Sequence, residues 1–205
     1  SLLFLILLYS PRAIYLYFLK GKYKGSLLKR LGFNFPVIDK KSKPLAWIHA
    51  VSVGETRAVL RLCKVLSETH TLLISSTTET GHAEAKRSLP FASYHLFLPI
   101  DLSFIIRPIV KRVCPEVVIF SETDLWFQFI KVAKENGAKI IVVNGKISET
   151  SAKRLKFFPF FTKKLYSLID FFCLQNNLYK ERFFSLGVSP SKMAVIGNLK
   201  FDDEK

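Results

Sequence analysis

The sequence is poor in the residues from which many small sites are built. Its 205 residues hold three cysteines (Cys63, Cys114, Cys173), far apart, with no Cys-x-x-Cys and an odd total. That pattern excludes a disulfide framework and points to reduced thiols used for packing. The four histidines show no metal-ligand spacing, and no cysteine lies near enough to complete a zinc motif; no metal and no cofactor are expected. No Gly-x-Gly-x-x-Gly and no P-loop follows any apolar run, which removes the usual dinucleotide and P-loop sites. Internal repeats and low-complexity linkers are missing too. Acids are scarce: 16 Asp and Glu face 31 Lys and Arg, for a net charge of +15.

Apolar residues are plentiful. They make up 49% of the chain, with 19 phenylalanines, so the chain has enough to build one sizeable core and is not disordered. The positive charge is unevenly spread. Residues 1–43 carry nine Lys and Arg against the single acid Asp39, so about a fifth of the chain holds half of the excess. This basic cluster (Lys20, Lys22, Lys24, Lys29, Arg30, Lys40, Lys41, Lys43) follows an apolar stretch, Leu2 to Leu19, broken by Ser10, Pro11 and Arg12. An arginine at mid-bilayer is costly, so a monotopic or short anchoring segment fits better than a span. Apolar residues followed by cations suit an anionic membrane surface. Nucleic acid is not expected as a partner, because the cations sit beside Leu and Phe and no nucleic-acid motif occurs.

Beyond residue 44, short apolar runs alternate with helical patterns. Strands are expected at 45–50, 71–76, 94–98, 117–120, 139–143, 171–174 and 193–196. Helices are expected at 56–68, 81–88, 102–112, 125–136, 151–168 and 177–186, with Gly137 and Gly187 placed to end two of them. Runs rich in Val, Ile and Leu without alternation belong to parallel strands covered on both faces. The expectation is an α/β fold with a doubly wound, Rossmann-like parallel sheet over 44–202, preceded by a hydrophobic and basic segment of 43 residues.

A polar motif follows nearly every expected strand, and in a parallel sheet all of these would share one rim. They are Ser52-Val-Gly-Glu55, Ser75-Ser-Thr-Thr-Glu-Thr-Gly81, Pro99-Ile-Asp101, Ser121-Glu-Thr-Asp-Leu-Trp126, Asn144-Gly-Lys-Ile-Ser148, Gln175-Asn176 and Gly197-Asn-Leu-Lys200. Each alone is also ordinary turn chemistry. Ser52 and Glu55 are spaced as a capping box, so the glutamate has a structural reading beside a chemical one. Asp124 reads as the cap of a helix beginning at Leu125, and Trp126 as core. Residues 146–164 interleave Lys146, Lys153, Arg154, Lys156, Lys163 and Lys164 with Phe157, Phe158, Phe160 and Phe161. One reading is a helix with a buried aromatic face and a solvated cationic one; the other is an interfacial surface.

In this order, the rim segments resemble the N-terminal half of bacterial 3-deoxy-D-manno-octulosonic acid (Kdo) transferases. The matching pieces are His49-Ala-Val-Ser-Val-Gly-Glu55, Thr77-Thr-Glu-Thr-Gly81, Leu98-Pro-Ile-Asp-Leu102, Glu122-Thr-Asp-Leu-Trp126, Asn144-Gly-Lys-Ile-Ser148, Gln175-Asn176 and Gly197-Asn-Leu-Lys-Phe-Asp202. Two departures stand out: Phe127-Gln128 replaces the family's Pro-Asn, and Lys146 replaces an arginine. Lysine keeps the charge and loses the bidentate fork.

The resemblance implies one half of a B-type glycosyltransferase fold, the acceptor-side half. Residues 203–205 would begin the interdomain crossing, and a C-terminal donor domain would lie outside this sequence. It implies inverting transfer of Kdo from CMP-Kdo to a lipid A precursor at the cytoplasmic face of the inner membrane. It assigns Glu55 as general base, Glu122 and Lys200 to transition-state stabilisation, and Ser52, Gly54, Asn144 and Lys146 to acceptor binding. Two other classes of answer remain open on the residues alone. One is a noncatalytic membrane-attached binding module; the other is a different B-type enzyme, such as another glycosyltransferase or a sugar-nucleotide epimerase.

Overall fold

The computed structural model describes residues 26–33, 35–39 and 43–200. The apolar stretch from Leu2 to Leu19 lies outside the described residues, as do Phe201 to Lys205. A short helix α1 (Leu27–Arg30) precedes β1 (Leu45–His49), α2 (Val53–Ala58), α3 (Leu60–Leu66), β2 (Thr71–Ser76), α4 (Glu79–Ser88) and β3 (Tyr94–Phe97). Then follow α5 (Ser103–Val113), β4 (Val117–Ser121), α6 (Phe127–Glu135), β5 (Lys139–Gly145), α7 (Glu149–Lys156), α8 (Pro159–Ser167), β6 (Phe171–Leu174), α9 (Asn177–Ser185) and β7 (Met193–Val195). The seven strands form one sheet in the order β3-β2-β1-β4-β5-β6-β7, and every pairing is parallel. This is the doubly wound α/β half expected. The order reverses between β1 and β4, so the loops after those two strands flank the crevice where such sheets gather ligands.

Burial on both faces explains why the strands read as unbroken apolar runs. Along β1 the side chains alternate between two cores. Leu45 and Trp47 join the face packed by α5 and α6, where Trp47, Phe120 and Phe129 meet with ring centroids 4.6 and 5.7 Å apart. Ala46 and Ile48 join the aliphatic face with Val59, Cys63, Leu72 and Ile74. Gly137 and Gly187 follow α6 and α9 with φ of 88° and 89°, a left-handed turn that an L side chain would strain.

Several element boundaries differ from those expected, each for a local reason. The helix expected at 56–68 bends at Val59, and the bend keeps both Val59 and Cys63 buried. The helix expected at 151–168 is two, because Pro159 disfavours helical backbone at Phe158, which takes φ −123° and ψ 60°. Cys63 is packed in the core and Cys173 is half-buried, but Cys114 is exposed in a left-handed turn after α5, so packing does not account for it. Of the basic N-terminal segment, α1 is docked on the sheet edge. Arg30 donates to Thr77 O (2.6 Å) and lies 4.6 Å from the Phe97 ring, and Ser26 Oγ donates to Glu79 (2.5 Å).

The third difference concerns α6. Asp124 is exposed and does not cap it; the helix begins two residues beyond Leu125, at Phe127. Its free amides are satisfied across space instead, Gln128 N and Phe129 N donating to the two carboxylate oxygens of Asp101 (2.9 and 2.7 Å). Asp101→Ala is therefore expected to destabilise the protein by about 1–2 kcal/mol, the usual cost of a lost cap, and Asp101→Asn by less. Urea unfolding of the parent and both variants checks this ranking.

Candidate active site

The site begins where β1 ends. Ala50 N still bonds to Ser75 O (3.0 Å), and the chain then turns through Val51 and Ser52 into α2. Ser52 is the N-cap: its Oγ accepts from Glu55 N (3.3 Å) and donates to Glu55 Oε1 (2.9 Å). Glu55 Oε2 accepts from Val51 N (3.0 Å), so the carboxylate is held at both oxygens. The Thr77–Gly81 motif locks this turn from behind. Thr78 Oγ1 donates to Val51 O (2.7 Å) and accepts from Gly81 N (3.0 Å). A Cβ on Gly81 would sit 2.4 Å from Val51 O, so only glycine lets α4 approach this closely.

Glu55 is only 8% exposed, and burial raises its pKa from the ordinary 4.5. Hydrogen bonds from Val51 and Ser52 oppose that shift, while the negative charges of Glu122 and Asp124 add to it. A helix N-terminus alone would lower it; here desolvation outweighs the dipole. The result is a carboxylate more basic than a free glutamate.

Across the sheet reversal, β4 and β5 each end in a strained residue. Glu122 (φ 64°) and Asn144 (φ 54°) both occupy the left-handed region, which costs non-glycine residues roughly 1–3 kcal/mol. Glu122 N donates to Val143 O (2.8 Å), so the strained turn of one strand is pinned to the end of the next. The Glu122 side chain then lies between two ammonium groups, Lys146 Nζ at 2.9 Å from Oε2 and Lys200 Nζ at 3.2 Å from Oε1. Lys146 acts as a point charge on one oxygen, as its lack of a fork requires. Thr123 Oγ1, donating to Lys146 O (2.7 Å), holds the two loops together.

Lys200 reaches this point because Asn144 places it. Asn144 is fully buried; its Oδ1 accepts from Leu199 N (3.1 Å), and its carbonyl accepts from Gln175 Nε2 (3.1 Å). A Cβ on Gly54 would lie 3.5 Å from Lys200 Nζ, which puts the lysine directly over the start of α2. Glu55, Gly54, Lys200, Glu122 and Lys146 thus form one continuous patch at the switch point. Ser52 belongs to it through the cap. Asn144 lies beneath the patch as a support, with its Nδ2 buried and unpartnered. One side chain departs from expectation: Asp124 is exposed and does not cap α6, whereas Trp126, half-buried, packs against the core.

Between β1 and β2 runs a polar seam that sequence reasoning missed. His49 is 1% exposed, and burial drives its pKa down to about 3, so the ring is neutral. Its Nδ1 lies 2.9 Å from Ser75 Oγ, which also accepts from Trp47 Nε1 (2.8 Å). No spacing in the sequence links a histidine and tryptophan on β1 to a serine 26 and 28 residues away. Asp101 and Asn144 were visible as rim residues, whereas their partners in α6 and in the 198–200 turn were not. Among the described residues no group of three or more His, Cys, Asp or Glu is placed to hold a metal.

Residues 25–203 match the family 3-deoxy-D-manno-octulosonic-acid transferase (kdotransferase). The chain is 39% identical over 203 residues to the 3-deoxy-D-manno-octulosonic acid transferase of Chlamydophila psittaci, covering 97% of this chain and 47% of that protein. The Chlamydia pneumoniae enzyme of the same name is 39% identical over 93% of this chain and 44% of its own length. A bifunctional glycosyltransferase/methyltransferase of Fusobacterium nucleatum is 35% identical, covering 92% of this chain and 30% of that protein. The chain therefore spans less than half the length of these relatives.

Among solved structures, a putative UDP-N-acetylglucosamine 2-epimerase from Listeria monocytogenes superposes with a TM-score of 0.56 at 17% identity, covering 78% of this chain and 46% of that one. The S. aureus MnaA–UDP co-structure gives a TM-score of 0.55 at 17% identity, over 77% and 45%. Those likenesses carry the fold alone. The shared sequence along nearly the whole chain, with its motifs gathered at the sheet reversal, makes this chain a member of the 3-deoxy-D-manno-octulosonic acid transferase family.

Proposed function

We propose that the whole protein transfers Kdo from CMP-Kdo to a hydroxyl of a lipid A precursor, and that this chain supplies the acceptor-side half of the cleft. The observation that carries the reading is the buried, raised-pKa carboxylate of Glu55, held beside a carboxylate clasped by two lysines. In the proposed step Glu55 takes the proton of the acceptor hydroxyl as its oxygen bonds to the anomeric carbon. The anomeric carbon–phosphate oxygen bond breaks on the opposite face, and CMP leaves with the electron pair, inverting the centre. Lys200 and Lys146 offset negative charge on the donor, and Glu122 holds both ammonium groups in place for it. Gly54 leaves room for the acceptor beside Lys200, and Ser52 fixes the Glu55 carboxylate. The donor is bound mainly by the part of the protein beyond this chain. The basic balance of residues 1–43 supports a place on the cytoplasmic face of the inner membrane.

A second reading has its own observation: both oxygens of Glu55 are already engaged, as a cap requires. Base and cap are compatible, because a carboxylate has lone pairs beyond those two bonds.

The reading is tested by incubating the full-length protein with CMP-Kdo and a tetraacylated lipid A precursor and reading the lipid by mass spectrometry. A gain of one or more Kdo masses is expected; no gain from folded protein overturns the donor or acceptor assignment. The kcat/KM profile against pH provides a second check. A base must be deprotonated, so activity falls on the acid side through the free-enzyme pKa, and that limb is expected above pH 4.5 because the Glu55 pKa is raised. Lys200→Met is expected to lower kcat about 100-fold, the scale of one lost electrostatic contact to the transition state. Lys146→Arg, which preserves the charge opposite Glu122, is expected to stay within about tenfold of the parent.

A further inference from the structure

Two aromatic side chains on opposite walls of the crevice are not used by the proposed reaction. His49 ends β1, directly before the turn that carries Ser52 and Glu55, and Trp126 closes the Glu122–Trp126 loop at the start of α6. His49 Nε2 and Trp126 Nε1 are both buried, and among the described residues neither has a hydrogen-bond partner. A buried polar atom left alone bears the full cost of its desolvation, so each calls for an explanation.

The two atoms are chemically complementary. His49 Nδ1 lies 3.1 Å from Ser75 O, which can only accept, so Nδ1 carries the proton of the neutral ring. Nε2 therefore holds a lone pair and accepts, whereas the Trp126 indole N–H can only donate. The two rings meet at right angles with centroids 6.3 Å apart. An N–H···N bond of about 3 Å, added to the offsets of both nitrogens from their ring centres, spans that separation.

We propose that Trp126 Nε1 donates to His49 Nε2, and that this bond sets the spacing between the Glu55 turn and the Glu122 loop. The loop's other anchors run away from β1: Glu122 N donates to Val143 O, and Thr123 Oγ1 to Lys146 O. Toward α2, Ser121 Oγ donates to Glu55 O at a long 3.4 Å. On the β1 side, Ser75 O accepts from both His49 Nδ1 and Ala50 N, so the ring is tied into the turn that holds Glu55. His49 and Trp126 are thus positioning residues that act through Glu55 and Glu122, whose misplacement by a fraction of an ångström would slow transfer. The positioning role rests on the proposed Kdo transfer; the bond does not.

The bond is tested on the full-length protein labelled with nitrogen-15 at histidine and tryptophan. Signals are assigned by their loss in His49→Gln and Trp126→Phe. Expected are a proton on His49 Nδ1, a downfield and slowly exchanging Trp126 indole proton, and a scalar coupling between Trp126 Nε1 and His49 Nε2. A proton on Nε2, or no coupling between the two nitrogens, overturns the proposal.

Substitution at His49 separates the new bond from the bond to Ser75. Glutamine places an acceptor where Nε2 stands, whereas asparagine places its donor where Nδ1 stands. His49→Gln is expected to keep kcat within about threefold of the parent; His49→Asn and Trp126→Phe are expected to lower it about tenfold, the loss of one hydrogen bond, with KM unchanged. The reverse order of Gln and Asn overturns the positioning role and leaves His49 as a strut between β1 and β2. If the protein transfers no Kdo at all, the proposed reaction fails while the nitrogen coupling still reports the bond.

Discussion

The reciprocal bonding of Ser52 and Glu55 is the constraint on which the site depends. It ends β1, starts α2, and fixes a carboxylate at the sheet reversal with both oxygens engaged. Burial at that point makes the group more basic, and the same burial is possible only because Thr78 and Gly81 hold the turn shut from the α4 side. Local helix chemistry and proposed catalytic chemistry therefore use one set of atoms. The family motifs around β1 and β2 form a single mechanical unit: one carries the carboxylate and the other closes the turn behind it.

The opposite wall of the crevice is built on strain. Glu122 and Asn144 adopt left-handed backbone at the ends of adjacent strands, and the bonds around them repay that cost. Glu122 gains two ammonium partners, and Asn144 gains the amide of Leu199. Through Asn144 the 198–200 turn is anchored to β5, so Lys200 arrives over Gly54 from the far end of the chain. Glu122 and its two lysines together carry a local charge of +1, set beside the carboxylates of Glu55 and Asp124. Under the proposed reaction that charge awaits the donor's phosphate and carboxylate.

The sheet was legible because parallel strands buried on both faces must be apolar at every position, as in Ala46-Trp47-Ile48 or Leu72-Leu73-Ile74. Helix ends were legible where the signal is local, as at Gly137 and Gly187. They were illegible where the partner is distant: α6 starts at Phe127 because Asp101, 26 residues earlier, supplies the cap. The residues of the crevice were legible as rim motifs, but their division of labour was not. Asn144, expected from the resemblance to bind the acceptor, is buried and bonds to Leu199 N and Gln175 Nε2. The direction of the Glu55 pKa also escaped, since the helix N-terminus argues one way and desolvation, invisible in sequence, wins. The four phenylalanines of the α7–α8 corner are exposed, which removes the reading of a buried aromatic face.

The central claim is that Glu55 is both cap and base, and that the roles separate on substitution. Glu55→Gln keeps an oxygen to accept from Val51 N, whereas Glu55→Ala keeps nothing. Unfolding midpoint and Kdo transfer rate, measured on the same full-length preparations, test the claim directly. The account predicts that Glu55→Gln retains nearly all of the parent's stability, that Glu55→Ala loses about 1 kcal/mol, and that both lose transfer by about 1,000-fold. A Glu55→Gln protein that transfers Kdo at close to the parent rate would contradict it, and would leave Glu55 as a helix cap alone.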